Sequence, residues 1–455
     1  MIGGLMKSAS RLALVAAAGL FVAGSANIAK AADLGGNCCA DLEERVAELE
    51  ATTVRKGNRK VSVTLSGQVN RALLYWNDGS ESGVYSIDNT QSSTRMRLRG
   101  SAKIAAMWSA GFYMEWETVG APGSAVNQID SRGGAGTGNT LNGRLGLRQA
   151  NWWIKHDQLG TLSVGRLNIA TKDLSLIELG GISAASYSLQ LNGLGMFVRP
   201  VGRTGVEGLS TVTLGNFFPP MDTNRAEGVR YDSPTIAGFT LSAAWADDDR
   251  WDVALRYAGE FSGVRIAGGI GYFHDGWEQA TTAAVLGTRG SRDQNALIAT
   301  LSILHVPTGL FVSGQYFNTS FDGSGDIRAG VATPFGTKRP DATWYWLSAG
   351  IRKNWFGIGD TSLFGEYGRG EDGNTGLALA LPGAGQSLAE ITSSSVEMWG
   401  LGIVQHINAA DMELYLSYRH YDLDVRGVTA AAPATVVGRP LESFDFVMAG
   451  ARIKF

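Results

Sequence analysis

The sequence predicts an all-β protein, a 16-stranded antiparallel transmembrane β-barrel that is preceded by a short N-terminal helical segment. Three observations predict this fold class. The chain is rich in glycine and poor in charge, with 61 glycines among 455 residues and 18% charged residues. From residue 61 onward, apolar and polar residues alternate with a period of two, as in strands with one apolar face. Short turns also alternate with long polar stretches, as in up-and-down membrane barrels.

Composition and charge exclude several other classes of protein. A net charge of −3 leaves no basic surplus for phosphate groups, which excludes nucleic acid as the main partner. The longest apolar run, Leu12 to Gly24, is shorter than the roughly 18 residues that a transmembrane helix needs. Many aromatic residues and few blocks of like charge argue against disorder. A large soluble β protein and a membrane β-barrel remain.

The first 31 residues have the layout of a secretory signal peptide. Lys7 and Arg11 precede the apolar run, and Ala29 and Ala31 stand in the A-x-A arrangement of a cleavage site. A short buried helix is the alternative interpretation of the same run. Export would place the mature chain in a compartment where disulfide bonds persist.

Residues 32–60 are predicted to form a separate periplasmic segment. It contains the only two cysteines of the chain, Cys38 and Cys39, which are adjacent. Two neighbouring cysteines exclude a disulfide framework and a cysteine-based metal site. They either join neighbouring copies of the chain through disulfides or remain free thiols.

An amphipathic stretch at 41–53 follows the cysteines. Leu42, Val46 and Leu49 stand at heptad spacing among glutamate and arginine. Two heptads are too short to be stable alone. The stretch is therefore either a coiled coil that forms when three copies are brought together or one solvated helix. A basic linker at 55–60 then offers a contact with anionic lipid or cell wall, or is solvated.

The alternation that defines the strands begins at residue 61. Val61, Val63 and Leu65 alternate with serine and threonine, and the stretch 112–117 alternates large apolar residues with tyrosine and glutamate. Each such stretch predicts a strand with two different faces. Arg71 interrupts the apolar side of the first strand, which indicates a bulge or a contact between subunits.

The spacing of the breaks predicts the topology. Long stretches alternate with short turns, so that short turns would face the periplasm and long loops the outside. This spacing predicts sixteen strands. The predicted short turns are 156–160, 233–238, 258–262, 305–309, 356–360 and 407–410. The predicted long loops are 77–92, 119–143, 167–224, 275–293, 319–342, 370–394 and 422–442.

A soluble sandwich or propeller would show the same alternation, because one strand face would form its core. Aromatic residues near strand ends favour the membrane, since they form girdles at its two interfaces. The sequence also stops within a strand, at Phe455, which barrel closure would pair with the first strand. A terminal aromatic residue is in addition an insertion signal for the barrel-assembly machinery. The predicted girdle residues are Tyr75, Trp76, Trp108, Trp152, Trp153, Trp245, Trp251, Trp355, Phe356 and Tyr421.

Several stretches of the chain resemble those of a known family. They lie at 66–70, 94–100, 148–155, 159–166 and 225–239, together with the last strand. These stretches are similar to strands of the trimeric general porins of Gram-negative bacteria, in their alphaproteobacterial branch. The resemblance implies a homotrimer, a water-filled pore in each subunit and a third loop that folds inward to narrow the pore. Here that loop would span about 167–224, which is also the longest gap in the strand pattern.

The resemblance also implies where the pore selects its solutes. In this family, basic residues on the wall face acidic residues on the inward loop and set a field across the opening. One position departs from the pattern, because Gln68 stands where enteric porins have a lysine. Arginine suits such a wall, since its planar head group keeps its charge beside other cations. The implied positions are Gln68, Arg95, Arg166 and Arg225 on the wall, with Arg97, Arg99 and Arg230 added by strand parity, and Asp173 and Glu178 on the loop.

These features predict an outer-membrane channel for passive diffusion of ions and small hydrophilic solutes. One alternative is a substrate-selective channel for a sugar or an organic acid, in which Trp344, Tyr345 and Trp346 form a sliding surface rather than part of a girdle. Another alternative is a structural barrel that tethers the envelope through residues 38–60. Expected partners are two further copies of the chain, outer-membrane lipid, lipopolysaccharide, the assembly machinery and the cell wall.

Catalytic chemistry is not expected from this sequence. None of the five histidines stands at a metal-binding spacing from another, and no G-x-S-x-G motif is present. The glycine-rich stretch 133–138 lacks the strand-then-helix context of a phosphate-binding loop. The sequence therefore predicts no enzyme activity, no metal and no cofactor.

Overall fold

In a computed structural model, the chain forms a closed barrel of β-strands. The predicted signal peptide and the segment with Cys38, Cys39, Leu42, Val46 and Leu49 lie outside the described residues. Within the described part, none of the helices has the length and apolar character that a membrane crossing requires. The described residues are 60–133, 144–189, 191–219, 225–247, 249–276, 278–279, 290–291, 294–321, 340–373, 375, 378–380, 388–429, 436–437 and 440–455.

Sixteen strands cross the barrel wall, and the second of them is interrupted. The first eight are β1 (Ser62–Asn77), β2 (Ser82–Asp88 and Arg95–Ala105), β3 (Trp108–Val119), β4 (Arg144–His156), β5 (Gly160–Asn168), β6 (Arg225–Asp232), β7 (Phe239–Ala246) and β8 (Arg250–Phe261). The other eight are β9 (Val264–Asp275), β10 (Gln294–His305), β11 (Leu310–Phe321), β12 (Ala342–Lys353), β13 (Thr361–Glu371), β14 (Leu388–Ile407), β15 (Met412–Thr429) and β16 (Phe444–Lys454).

The sheet closes on itself between the first and last strands. Successive strands pair antiparallel, and β1 pairs with β16 from Gln68 opposite Lys454 to Asn77 opposite Asp445. The terminal Phe455 lies beside β1, where its backbone N–H donates to the Gly67 carbonyl. Closure satisfies the backbone groups of both edges, as a lipid environment requires. The predicted 16-stranded antiparallel barrel is confirmed.

Side chains alternate between an outer and an inner face along each strand, because successive residues of a strand point to opposite sides. On β1, Leu73 is exposed on the outside and Leu74 is buried inside. The predicted aromatic doublets divide in the same way, since Trp152 is exposed and Trp153 is buried. Tyr421 is also buried inside. Within a strand, only one member of such a doublet therefore lies on the outer surface where a girdle would form, whereas Trp355 and Phe356, in a turn, are both exposed.

The predicted loop at 77–92 is largely strand. A four-residue turn follows β1, and the first part of β2 returns along it with Arg71 opposite Asp88. Residues 89–94 then leave the wall through a short 3-10 turn at Thr90–Ser92 before β2 resumes at Arg95. The sequence does not predict this strand, because the strand is short, contains several polar residues and is interrupted. The opposite end has short turns, and a turn at 106–107 was absent from the prediction.

The largest group of buried apolar residues lies inside the barrel. It joins the long connection between β5 and β6, residues 169–224, which we call the inward loop, to the inner wall of β1, the first part of β2 and β5–β16. Leu174, Ile182 and Met196 of the loop are fully buried in this group, as is Trp344 of the wall. The loop therefore occupies the side of the lumen along these strands.

Candidate pore constriction

Three predicted arginines lie on the inner face of β2. Arg95, Arg97 and Arg99 pair across the strands with Gln68, Ser66 and Thr64 of β1. Between them, Met96 points outward and is exposed. Because residues at a spacing of two share one face of a strand, the three guanidinium groups line the same side of the lumen.

Two glutamates of β3 face these arginines. Arg97 Nε donates to Glu115 Oε2 at 2.7 Å, and Arg95 Nη1 lies 4.0 Å from the same oxygen. Only 3% of the Glu115 side chain is exposed. Glu117 accepts a hydrogen bond of 2.8 Å from Ser93 Oγ and is more exposed. The alternation at 112–117 predicted that both glutamates share a face, but only strand pairing brings them to the arginines.

A fourth arginine completes this group and was missed by the sequence analysis. Arg148 Nε donates to Glu115 Oε1 at 2.7 Å, and its Nη1 pairs with Glu117. The register between β3 and β4 slips at this point, from Glu115 opposite Gln149 to Trp116 opposite Leu147. Arg148 is the extra residue of this β-bulge, and a bulge redirects a side chain in a way that strand parity does not predict. We call Arg95, Arg97, Arg99 and Arg148 the arginine wall.

Gln68 supports the break in β2. It is buried, and its Nε2 donates to the carbonyls of Ser92 at 2.8 Å and Ser93 at 2.9 Å. Arg452 of β16 donates to the Ser92 hydroxyl from the other side at 2.8 Å. Gln68, which stands where enteric porins have a lysine, is therefore a neutral side chain that anchors the break in β2. The strand resumes after this break at Arg95.

Arg166 does not belong to the lumen. It shares the outer face of β5 with the exposed Leu162 and lies 3.7 Å from Glu227 of β6. Its predicted place on the pore wall is wrong, because strand pairing sets Arg166 opposite Ala150, next to the inward Asn151. Motif resemblance located the residue in the strand but not on a face.

The other two predicted basic residues lie where the inward loop joins β5 and β6. Arg225 pairs with Asn168 at the loop end of the strands, and its buried Nε has no hydrogen-bond partner among the described residues. Arg230 is buried inside, is paired with Asp232 at 2.8 Å and donates to the carbonyls of Asn168 and Ile169. Arg230 therefore fixes the start of the inward loop to the wall.

The two predicted acids of the loop are separated in the structure. Asp173 adopts a positive φ of 69°, is partly exposed and accepts a hydrogen bond of 2.8 Å from Asn168 Nδ2. Arg225 is within its electrostatic range. Glu178 is buried, accepts a hydrogen bond of 3.0 Å from the Ile182 amide and lies close to Arg352 of β12. The prediction that both acids face the arginines is therefore wrong for Glu178.

The burial of Glu178 predicts that docking of the inward loop depends on pH. Burial raises its pKa to about 7, against the opposing effects of Arg352 and of backbone hydrogen bonds. Its carboxyl therefore holds a proton in the docked loop at pH values where an undocked carboxyl, with an ordinary pKa of 4.5, would release it. Loop docking should weaken as pH rises from about 4.5 to about 7.

We expect more current fluctuations through the wild-type channel at pH 8 than at pH 5, and a smaller difference in Glu178→Gln. The substitution keeps a neutral side chain of similar size in place at both pH values. Glu207→Gln, in the same loop but exposed, is the matched control and should behave as wild type. An unchanged pH dependence in Glu178→Gln would contradict the assignment.

The aromatic triplet at 344–346 supports the inward loop. Trp344 is fully buried, donates from Nε1 to the Ser188 carbonyl at 3.1 Å and packs on Phe218 with 5.0 Å between ring centroids. Trp346 donates to Glu366 at 2.9 Å, and only Tyr345 lies on the outer face. Neither a sugar-sliding surface nor a girdle fits the two tryptophans, because the loop covers them.

The chain is similar to several solved structures. In structure, the chain is similar to the anion-selective porin from Comamonas acidovorans, with 17% identity, a TM-score of 0.53 and coverage of 87% of this chain and 100% of that one. It is also similar to OmpF of Salmonella typhi in complex with daunomycin, with 14% identity, a TM-score of 0.48 and coverage of 89% and 100%. OmpT of Vibrio cholerae in its trimer form matches with 13% identity, a TM-score of 0.48 and coverage of 87% and 99%.

Sequence comparison identifies the family. No curated protein matches the chain significantly over its sequence. The family model for Gram-negative porins matches residues 12–431, which is most of the chain. At 17% identity the solved structure shows the shared fold, and that fold is a closed barrel like the one described above. The chain therefore belongs to the Gram-negative porins, outer-membrane channels for the passive diffusion of ions and small hydrophilic solutes.

Proposed function

We propose that this porin prefers anions and that the arginine wall sets the preference. Four inward arginines stand there against Glu115 and Glu117, and this imbalance is the observation that carries the proposal. Between residues 169 and 189, the inward loop has two acids, Asp173 and the buried Glu178. A fixed positive surplus attracts anions and repels cations at the narrow part of a pore.

Planar-bilayer recording of the purified, unboiled protein tests this function. Conductance steps without added ligand, together with a reversal potential of anion-selective sign in a KCl gradient, are the expected result. A reversal potential of cation-selective sign would contradict the anion preference. The absence of steps would contradict an open channel and favour a barrel filled by the inward loop.

A channel selective for an organic acid is the second candidate. The neighbouring arginines of the arginine wall favour this candidate, because a guanidinium group binds a carboxylate through two parallel hydrogen bonds. A small dicarboxylate added to one side would then block the chloride current in a saturable way. A purely linear decrease of current with its concentration would favour a general pore. In either case the lumen acts by size and charge, and we propose no catalytic activity.

We also propose that three copies assemble through the outer face around β1. Arg71 lies on this face with 46% of its side chain exposed, 3.7 Å from the buried Asp88, and donates to the Gly120 carbonyl. An arginine on a lipid-facing surface costs about 2–4 kcal/mol near the middle of the bilayer. Contact with a second copy would remove Arg71 from lipid.

Arg71→Gln should lower the temperature at which the assembly dissociates on unboiled gels. The substitution removes the cation beside Asp88 and one hydrogen bond to Gly120. Arg369→Gln is the matched control, because Arg369 is a similarly exposed arginine paired with Glu371 on β13, away from β1. Equal dissociation temperatures for wild type and Arg71→Gln would place the interface elsewhere.

A further inference from the structure

The second half of the inward loop lies at the outer mouth of the barrel. Phe197 exchanges two hydrogen bonds with Gln128 of the β3–β4 loop, at 2.9 and 2.7 Å. The Val201 amide donates to Pro440 of the β15–β16 loop, and the Gly205 amide donates to Glu81 of the β1–β2 turn. Three separate connections at the outer end of the barrel thus bind residues 194–218, which we call the cap.

The cap has a folded structure of its own. Val198 and Val212 are joined by a backbone hydrogen bond of 2.9 Å, and the Leu214 amide donates to Met196 at 2.8 Å. All four side chains are fully buried. A short 3-10 helix at Leu214–Phe217 then brings Phe218 against Trp344 of the wall. Packing of this kind holds one arrangement of the backbone, unlike the weak contacts of a mobile surface loop.

One buried arginine joins the cap to the barrel. Arg199 is fully buried and donates from Nε and Nη2 to Asp78 Oδ2, at 3.1 and 2.9 Å. It also reaches Glu81 at 3.2 Å and the Gly205 carbonyl at 2.7 Å. Burial acts to raise the pKa of Asp78, but hydrogen bonds from Arg199 and other donors leave that pKa below its ordinary value. The pair is therefore ionised, and loss of one partner would leave a buried charge uncompensated.

The cap covers one sector of the mouth. Its contacts run from the β1–β2 turn, the β3–β4 loop and the β15–β16 loop to Trp344 of β12 and Tyr421 of β15. Below it, the first half of the inward loop fills the same side of the lumen, where Ser302 and Ser362 of the wall hold its backbone. Among the described residues, the arginine-bearing part of β2 and strands β3 and β4 contribute none to the buried apolar group that the inward loop forms with the wall. Solutes would therefore reach the arginine wall beside the edge of the cap.

We propose that the cap is a second filter, which limits the size of solutes at the outer mouth, and that Arg199 is its positioning residue. The proposal rests on the porin function but not on the anion preference. The cap restricts the width of the opening, whereas the arginine wall acts on the charge of the solute. The two filters should therefore respond to different substitutions and different probes.

The experiment compares size and charge selection in the same proteins. Swelling of liposomes that contain the full-length porin is measured with neutral sugars from pentose to tetrasaccharide, and the reversal potential is measured in a KCl gradient. Arg199→Met should raise the rate for the trisaccharide, relative to that for the pentose, by about threefold or more, with an unchanged reversal potential. Arg203→Met is the matched control, because Arg203 is an exposed arginine of the cap, and it should match wild type.

A weaker variant and a direct probe of the cap keep the test decisive. Glu81→Gln removes a partly exposed partner of Arg199 and should give a smaller change in the same direction, even if Arg199→Met fails to fold. Limited proteolysis then reports whether the cap has been released. A released cap with the wild-type sugar profile would overturn the proposal, as would wild-type profiles in both variants. A wild-type protein that passes no sugar or ion would instead contradict the porin function.

Discussion

Replacing Arg97 and Arg148 by serine together should shift ion selectivity toward cations by about tenfold. A unit charge about 6 Å from a passing ion changes its energy by about 0.7 kcal/mol at the dielectric constant of water, which is about threefold in permeability. Two charges removed from the same side of the lumen give about the square of this effect. The shift should shrink at high salt, because the Debye length falls to about 3 Å at 1 M. The measurement is the reversal potential in a dilute KCl gradient.

Arg166→Gln is the control that separates strand geometry from motif resemblance. The resemblance places Arg166 on the pore wall, whereas strand pairing places it on the outer face beside Glu227. Its substitution should leave the reversal potential at the wild-type value. A shift in Arg166→Gln as large as that in the double variant would contradict the described register of β5 and β6.

Glu115→Gln should destabilise the barrel and increase its anion preference at the same time. The carboxylate is almost fully buried and is bonded to Arg97 and Arg148, with Arg95 beside it. Removing one partner of a buried charge group leaves the others uncompensated, at a cost of about 3–5 kcal/mol. The measurements are the urea concentration at the unfolding midpoint, followed by tryptophan fluorescence, and the reversal potential.

Glu117→Gln is the matched comparison for Glu115→Gln. Glu117 stands two residues along the same face, but 28% of its side chain is exposed and it pairs with a single arginine. Water screens such a group, so we expect a loss of stability of about 1 kcal/mol or less. Both substitutions remove one negative charge from the lumen and should move the reversal potential in the same direction. Equal unfolding midpoints for the two variants would contradict the buried role of Glu115.

Much of the fold could be predicted from local patterns. Period-two alternation and the sequence of short and long breaks predicted sixteen strands and antiparallel order, because each hairpin is specified by its own turn. The prediction failed where a local signal was short or interrupted. The sequence predicts a loop where the first part of β2, Ser82–Asp88, lies, because this strand has only seven residues, several of them polar, and is followed by the break at 89–94.

The candidate site was predicted less well, because a single slip of register changes the face of every following side chain. Arg95 was expected from the resemblance, and Arg97 and Arg99 from their shared spacing with it. The inward direction of Arg148 depends on a β-bulge, and a bulge leaves no local sequence signal. Arg166 matches the family motif, but strand pairing places it on the outer face. Neither residue could be placed before the strands were paired.

The sequence by itself determined that this protein is a barrel and a porin. Alternation, turn spacing and family motifs are local patterns, which can be recognised without knowing which residues are in contact. Only the tertiary structure decided which charges meet in the lumen and where the inward loop packs. Glu115 lies among the arginines through strand pairing, and Arg199 reaches Asp78 across more than a hundred residues of sequence. Such contacts depend on closure of the barrel around its own loop, and closure is a property of the whole chain.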